Sequence, residues 1–179
     1  AALPQTPPSL RARAFARPGT APDRFYTGLS EKIRTVPGMK VLDYLFLPPE
    51  ITPFERRYLA RLNRIALVFF YLHVPVFMAI ATAAGTGPLL ALGLAAAVLA
   101  GPTAAFFTFT NPRALSVVYG VTAMLMGGLL VHFGQGPVQI EMHFYFFALL
   151  AMLSVFANPT VNVAAAFTVA IHHLVLFVF

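Results

Sequence analysis

All five histidines of this 179-residue chain, His73, His132, His143, His172 and His173, fall inside long apolar stretches. Ionisable side chains in such surroundings are functional suspects. Three chemistries suit them. A neutral imidazole can be an axial ligand to a porphyrin iron held between helices, as in membrane b-type cytochromes. His143, His172 or His173 with Glu141 can hold a metal ion. Imidazoles can also simply hydrogen-bond across helices. Other reactive sets are lacking. Cysteine is absent, so there is no cysteine nucleophile or thiolate metal site. No HExxH run is present, and almost no carboxylate reaches the apolar part to complete a Ser-His-Asp set. The aromatic run Phe144, Tyr145, Phe146 and Phe147, with Phe106, Phe107 and Phe109, suits a cavity for quinone, carotenoid or tetrapyrrole.

The elements that carry these residues are read from hydropathy and turn chemistry. The composition is 59% hydrophobic and 10% charged, against about 25% charged in ordinary soluble domains. This predicts an all-α, polytopic membrane helix bundle of about five transmembrane helices. The spans are expected at about 61–84, 89–110, 114–133, 139–156 and 160–179. Each is long enough for a hydrocarbon core of about 30 Å. Thr52-Pro53-Phe54-Glu55 reads as a helix start, with Thr52 as cap, Pro53 in the first turn and Glu55 closing a capping box. Gly93, Ala97 and Gly101 form a small-residue stripe for helix packing, and Gly127-Gly128 thins the third span. Pro75 and Pro102 are expected to kink their helices. On this scheme His132, His143, His172 and His173 share the outer half of the membrane, and His73 lies deeper. Neighbouring His172 and His173 diverge by about 100°, as any two successive helical residues do.

Charge sets the orientation. Eleven of the 12 Lys and Arg and five of the six acids precede residue 65, so the net +6 belongs to the leader. Residues 1–51 are expected to form a basic cytoplasmic arm, extended at first and ending in a short interfacial helix around Val41–Phe46. Residues 52–179 form the bundle. Arg11, Arg13 and Arg17 of the arm, with Arg56 and Arg57 at the first span, are candidate contacts for anionic lipid or a partner protein. The positive-inside rule puts the N-terminus and the Arg113 loop in the cytoplasm, with the chain in a bacterial inner membrane. A basic leader before a neutral apolar body argues against nucleic acid as the partner.

From about Leu45 onward the sequence resembles the multi-span sensory input domain of bacterial adenylyl/guanylyl cyclases, histidine kinases and chemoreceptor-like proteins. The resemblance rests on LPPEITPFERRYLARLNRIAL, YLHVPVF around His73, LLVHFGQGPVQIEMHFYFFALLAML and AIHHLVLF. It covers about three-quarters of the chain. It implies six spans and a cytoplasmic output domain, of which this sequence holds five spans and no output domain. Some six-span relatives on cyclases carry two b-type haems on histidines, which points to His73, His132, His143, His172 and His173 here. Relatives often have His where Tyr145 stands, so one ligand of that set is replaced.

The expected function is that of a non-catalytic accessory subunit in a larger membrane complex, photosynthetic or respiratory. Its candidate cofactors are haem b, a (bacterio)chlorophyll or a carotenoid. The alternative is a truncated haem-b or quinone-binding redox-sensing input domain.

Overall fold

The computed structural model describes residues 47–178. Arg11, Arg13, Arg17 and the interfacial segment Val41–Phe46 lie outside the described residues. The described residues form helices joined by short turns, with no strand among them. The helices are α1 (Pro53–Ala83), α2 (Pro88–Thr108), α3 (Pro112–Phe133), α4 (Gln139–Met142), α5 (Phe144–Leu153) and α6 (Pro159–Val178), with a 3₁₀ turn at Ser154–Phe156 after α5.

Proline and Asx chemistry set most helix starts. Pro53, Pro88 and Pro112 each sit in a first turn, where the missing N–H costs nothing. Asn111 Oδ1 caps α3 by accepting from Arg113 N at 2.9 Å, and Asn158 Oδ1 accepts from Thr160 N at 3.1 Å. At α1, Thr52 Oγ1 accepts from Glu55 N at 3.1 Å, as expected. The reciprocal half of the capping box is replaced: the Glu55 carboxylate turns to Arg113.

Four stretches are long and apolar enough to cross a membrane: Pro53–Ala83, Pro88–Thr108, Pro112–Phe133 and Gln139–Phe156. The 20-residue α6 adds a fifth apolar helix. At 1.5 Å per residue the 31-residue α1 is about 46 Å long, so it overshoots a core of about 30 Å. Its extra turns carry the exposed Arg56, Arg57, Arg61 and Arg64. The fourth span is not one helix. It breaks at His143, where His143 N–H bonds Ile140 O at 3.2 Å and Phe146 N–H bonds His143 O at 3.1 Å, both three-residue turns.

The helices alternate in direction. At one end Glu55 pairs with Arg113, and the Tyr58 hydroxyl donates to Val155 O at 2.7 Å. At the other, Thr86 Oγ1 donates to Phe133 O at 3.2 Å, tying the two remaining turns. All the described arginines therefore gather at one end.

α3 is the central helix, packed against α1, α2, α5 and α6. Its small residues permit this. A Cβ on Gly120 would stand 2.8 Å from Val161 O of α6, and one on Gly127 would stand 2.8 Å from Phe146 Cε1 of α5. The core holds Phe70, Phe77, Tyr119, Met124, Met126 and Leu149. A buried polar knot joins α1 to α3: Asn63 Nδ2 donates to Pro112 O at 3.0 Å, and Ser116 Oγ donates to Asn63 Oδ1 at 3.0 Å. Outward faces are apolar, with Leu89 79% and Phe107 78% exposed, a surface suited to lipid rather than water. The chain is a membrane helix bundle.

The packing stripe of α2 differs from the expected one. Ala91, Ala95, Leu99, Pro102 and Ala105 face the bundle, while Gly93, Ala97 and Gly101 are exposed. The buried set repeats at three- and four-residue steps, as a helix face must, and alanine serves close packing as well as glycine does.

Candidate functional site

His73 lies ten residues before the end of α1, about 15 Å inside it. It is buried, with Phe69 edge-on at a ring-centroid distance of 4.5 Å and Phe77 at 5.6 Å. Its Nδ1 stands 2.8 Å from Phe69 O and its Nε2 2.5 Å from the Tyr145 hydroxyl. A carbonyl only accepts, so Nδ1 carries the proton. In the neutral imidazole the second ring nitrogen carries a lone pair. Nε2 is then an acceptor, and Tyr145 donates to it. The pair bridges α1 and α5, which otherwise hardly touch. Tyr145, where the resemblance implies a histidine, supplies the cross-helix partner of His73 instead of a second imidazole.

Between α1 and the α4–α5 segment runs a groove of about 860 Å³, open to the lipid side. Leu72, Val76 and Phe144 line it, and its polar groups come from His73, Tyr145 and Glu141. The exposed Glu141 lies toward the α3–α4 turn.

A second group forms where α5 and α6 meet. His143 Nδ1 stands 2.9 Å from Gln139 O, and His173 Nδ1 stands 2.9 Å from Val169 O. Each imidazole is thus locked by the carbonyl one turn back, as His73 is, with Nε2 directed away from its own helix. Neither Nε2 has a hydrogen-bond partner among the described residues. The His143 and His173 ring centroids are 5.8 Å apart. His172 lies 5.7 Å from His173 with its ring perpendicular. It rests on α3, where a Cβ on Gly128 would come within 3.0 Å of its Cε1. Its Nε2 is buried without a partner.

Phe146 packs against all three rings, with centroid distances of 6.3 Å to His143, 5.7 Å to His172 and 5.9 Å to His173. The buried Phe146 ring fills the space among them. His173 is exposed and His143 partly so, which leaves their lipid-side approach open. His132, in the last turn of α3, is exposed and stacks edge-on against Phe133 at 5.0 Å. Glu141 and His143 diverge, one toward the groove and the other toward α6. Among the described residues no three His, Asp or Glu side chains converge to hold a metal ion.

At the arginine end Arg113 and Glu55 form a two-point ion pair, with Nε–Oε1 at 2.5 Å and Nη2–Oε2 at 2.7 Å. Arg113 also donates to Pro48 O and Glu50 O. The hydrogen bond from Arg113 holds the Glu55 carboxyl below its ordinary range, and the same bond raises Arg113. Arg56 and Arg57, candidate lipid or partner contacts, are exposed at this end.

Sequence reasoning missed Asn63 and Gly120, and it read Tyr145 as a cavity aromatic and a replaced ligand rather than as the partner of His73. Asn63 shows a signal, because it is an uncharged polar residue between Arg61 and Arg64 on the face that continues to Phe70 and His73. No family model, curated protein or solved structure matches the chain.

Proposed function

We propose that the chain is a non-catalytic integral membrane subunit, a sensor-input-like helix bundle serving as an accessory component of a larger membrane complex, photosynthetic or respiratory. The observation that carries this reading is the seam on α2. Gly93, Ala97 and Gly101 recur every fourth residue on the lipid side, with nothing within 4 Å of a Cβ on Gly93 or Gly101. Such a seam lets the helix of a neighbouring subunit approach to backbone contact. Polar pairs hold helices together, Asn63 with Ser116 and His73 with Tyr145 inside the bundle and Tyr71 with Thr103 on its outer face.

His143 and His173 fit a further part of this role. Their locked Nδ1–H and outward Nε2 suit axial ligation of a tetrapyrrole at the rim of the bundle, held jointly with a neighbouring subunit. A haem b or (bacterio)chlorophyll bound there would supply redox or light-absorbing chemistry. The arginines gathered at one end support an N-terminus on the cytoplasmic side of a bacterial inner membrane. The experiment is a Gly93→Leu/Gly101→Leu double variant expressed in the source cell. It is expected to lose its partner subunits on affinity purification while keeping the wild-type unfolding midpoint. Undiminished recovery of the partners would refute the seam as the docking face.

A further inference from the structure

The His73–Tyr145 pair and its groove do not belong to the docking seam, and a ligand there is a separate matter. We propose that the groove between α1 and α5 binds an isoprenoid quinol, and binds it more tightly than the corresponding quinone. The groove is open on its outer side, where Leu72, Val76 and Phe144 are exposed or half-exposed, so a ligand enters from lipid. Its volume of about 860 Å³ accepts a substituted ring and the first part of an apolar tail.

The redox preference follows from the direction of the hydrogen bonds. Phe69 O takes the His73 Nδ1 proton, so His73 Nε2 accepts. The Tyr145 hydroxyl spends its one proton on that Nε2. What remains toward the groove is a lone pair on Tyr145 Oη. The other polar side chain of the lining, Glu141, offers carboxylate oxygens and again only accepts. Glu141 and Tyr145 line the same groove from either side of the break at His143, whose ring packs against His173. A site that presents acceptors needs a ligand that donates. A quinol has two hydroxyl donors on one ring, whereas a quinone carries only carbonyl acceptors and would leave Tyr145 Oη facing an oxygen. An acyl chain of a phospholipid fills the groove without using either acceptor.

The test uses the full chain in phosphatidylcholine nanodiscs, titrated calorimetrically with decylubiquinol and decylubiquinone. The quinol is expected to bind saturably and about tenfold or more tighter than the quinone, the difference of about one well-made hydrogen bond. Ala148→Phe, on the exposed lining, is expected to abolish binding of both without disturbing the core. His73→Phe frees the Tyr145 proton and is expected to shift preference toward the quinone, a reversal that simple loss of packing does not produce. Equal affinity for the two redox forms, binding no greater than to empty nanodiscs, or binding unchanged in Ala148→Phe would each overturn the proposal. If His73→Phe does not fold, the wild-type redox comparison and Ala148→Phe still decide. None of these outcomes bears on the α2 seam.

Discussion

The close approach of α3 and α6 can be tested by adding a single methyl group. In Gly120→Ala the new Cβ would stand 2.8 Å from Val161 O and 3.0 Å from Val161 Cγ1. Ordinary contact begins near 3.4 Å, so the two helices must part by about half an ångström. The obstructing atom is backbone and cannot rotate away. Overpacking of this kind costs about 1–3 kcal/mol. The higher helix propensity of alanine offsets up to about 1 kcal/mol of that. Gly93→Ala is the matched control, with the same propensity gain and nothing within 4 Å of the new methyl. SDS-induced unfolding in mixed micelles, followed by circular dichroism, should therefore rank Gly93→Ala at or above the wild type. Gly120→Ala should fall below the control by about 1–3 kcal/mol, a factor of about 5 to 150 in the unfolding constant. Equal midpoints for the two variants would refute the glycine-mediated contact and the central position of α3 with it.

Further perturbations separate the other contacts. Ser116→Ala and Asn63→Ala should each destabilise the bundle, and a double-mutant cycle should give a coupling of about 0.6 kcal/mol, up to about 1.7, by SDS unfolding. The Glu55–Arg113 pair should make stability depend on acidity. Because the folded carboxyl lies below its ordinary 4.5, the unfolded chain takes up the proton first. The contribution is thus present above about 4.5 and lost as pH falls through the lower folded value. For a part-buried pair at the end of the bundle it amounts to about 1 kcal/mol, and Glu55→Gln should remove the dependence in that window. If a tetrapyrrole co-purifies, His143→Ala or His173→Ala should shift or abolish its absorption bands, and unchanged spectra in both would assign the imidazoles a packing role.

Much of the fold is legible in the chain because membrane spans obey few rules. Apolar length marks each span, and Pro53, Pro88, Pro112 and Pro159 mark the starts within a residue or two. The failures are where local rules run out. Helical periodicity places Gly93, Ala97 and Gly101 on one face, but hydropathy does not say which face of an all-apolar helix meets lipid. Leucine and alanine are equally welcome on both sides. The break at His143 has no proline or glycine to announce it, since it arises from three-residue turns within an apolar run. The histidines are visible as suspects, yet their roles depend on partners far along the chain. Tyr145 stands 72 positions from His73, and only the packing of α1 beside α5 shows that the two share a proton. Glu55 is a plausible capping residue locally, and a cross-loop arginine 58 positions away outcompetes the backbone N–H for it.

The central claim is that this bundle works as one subunit among others. Mild extraction from the source membrane, with the native mass and subunit stoichiometry measured, tests it most directly. A discrete particle several times the 19.4 kDa of the chain is expected, with partner subunits in fixed ratio. A homogeneous, stable 19.4 kDa monomer in its detergent micelle would contradict it.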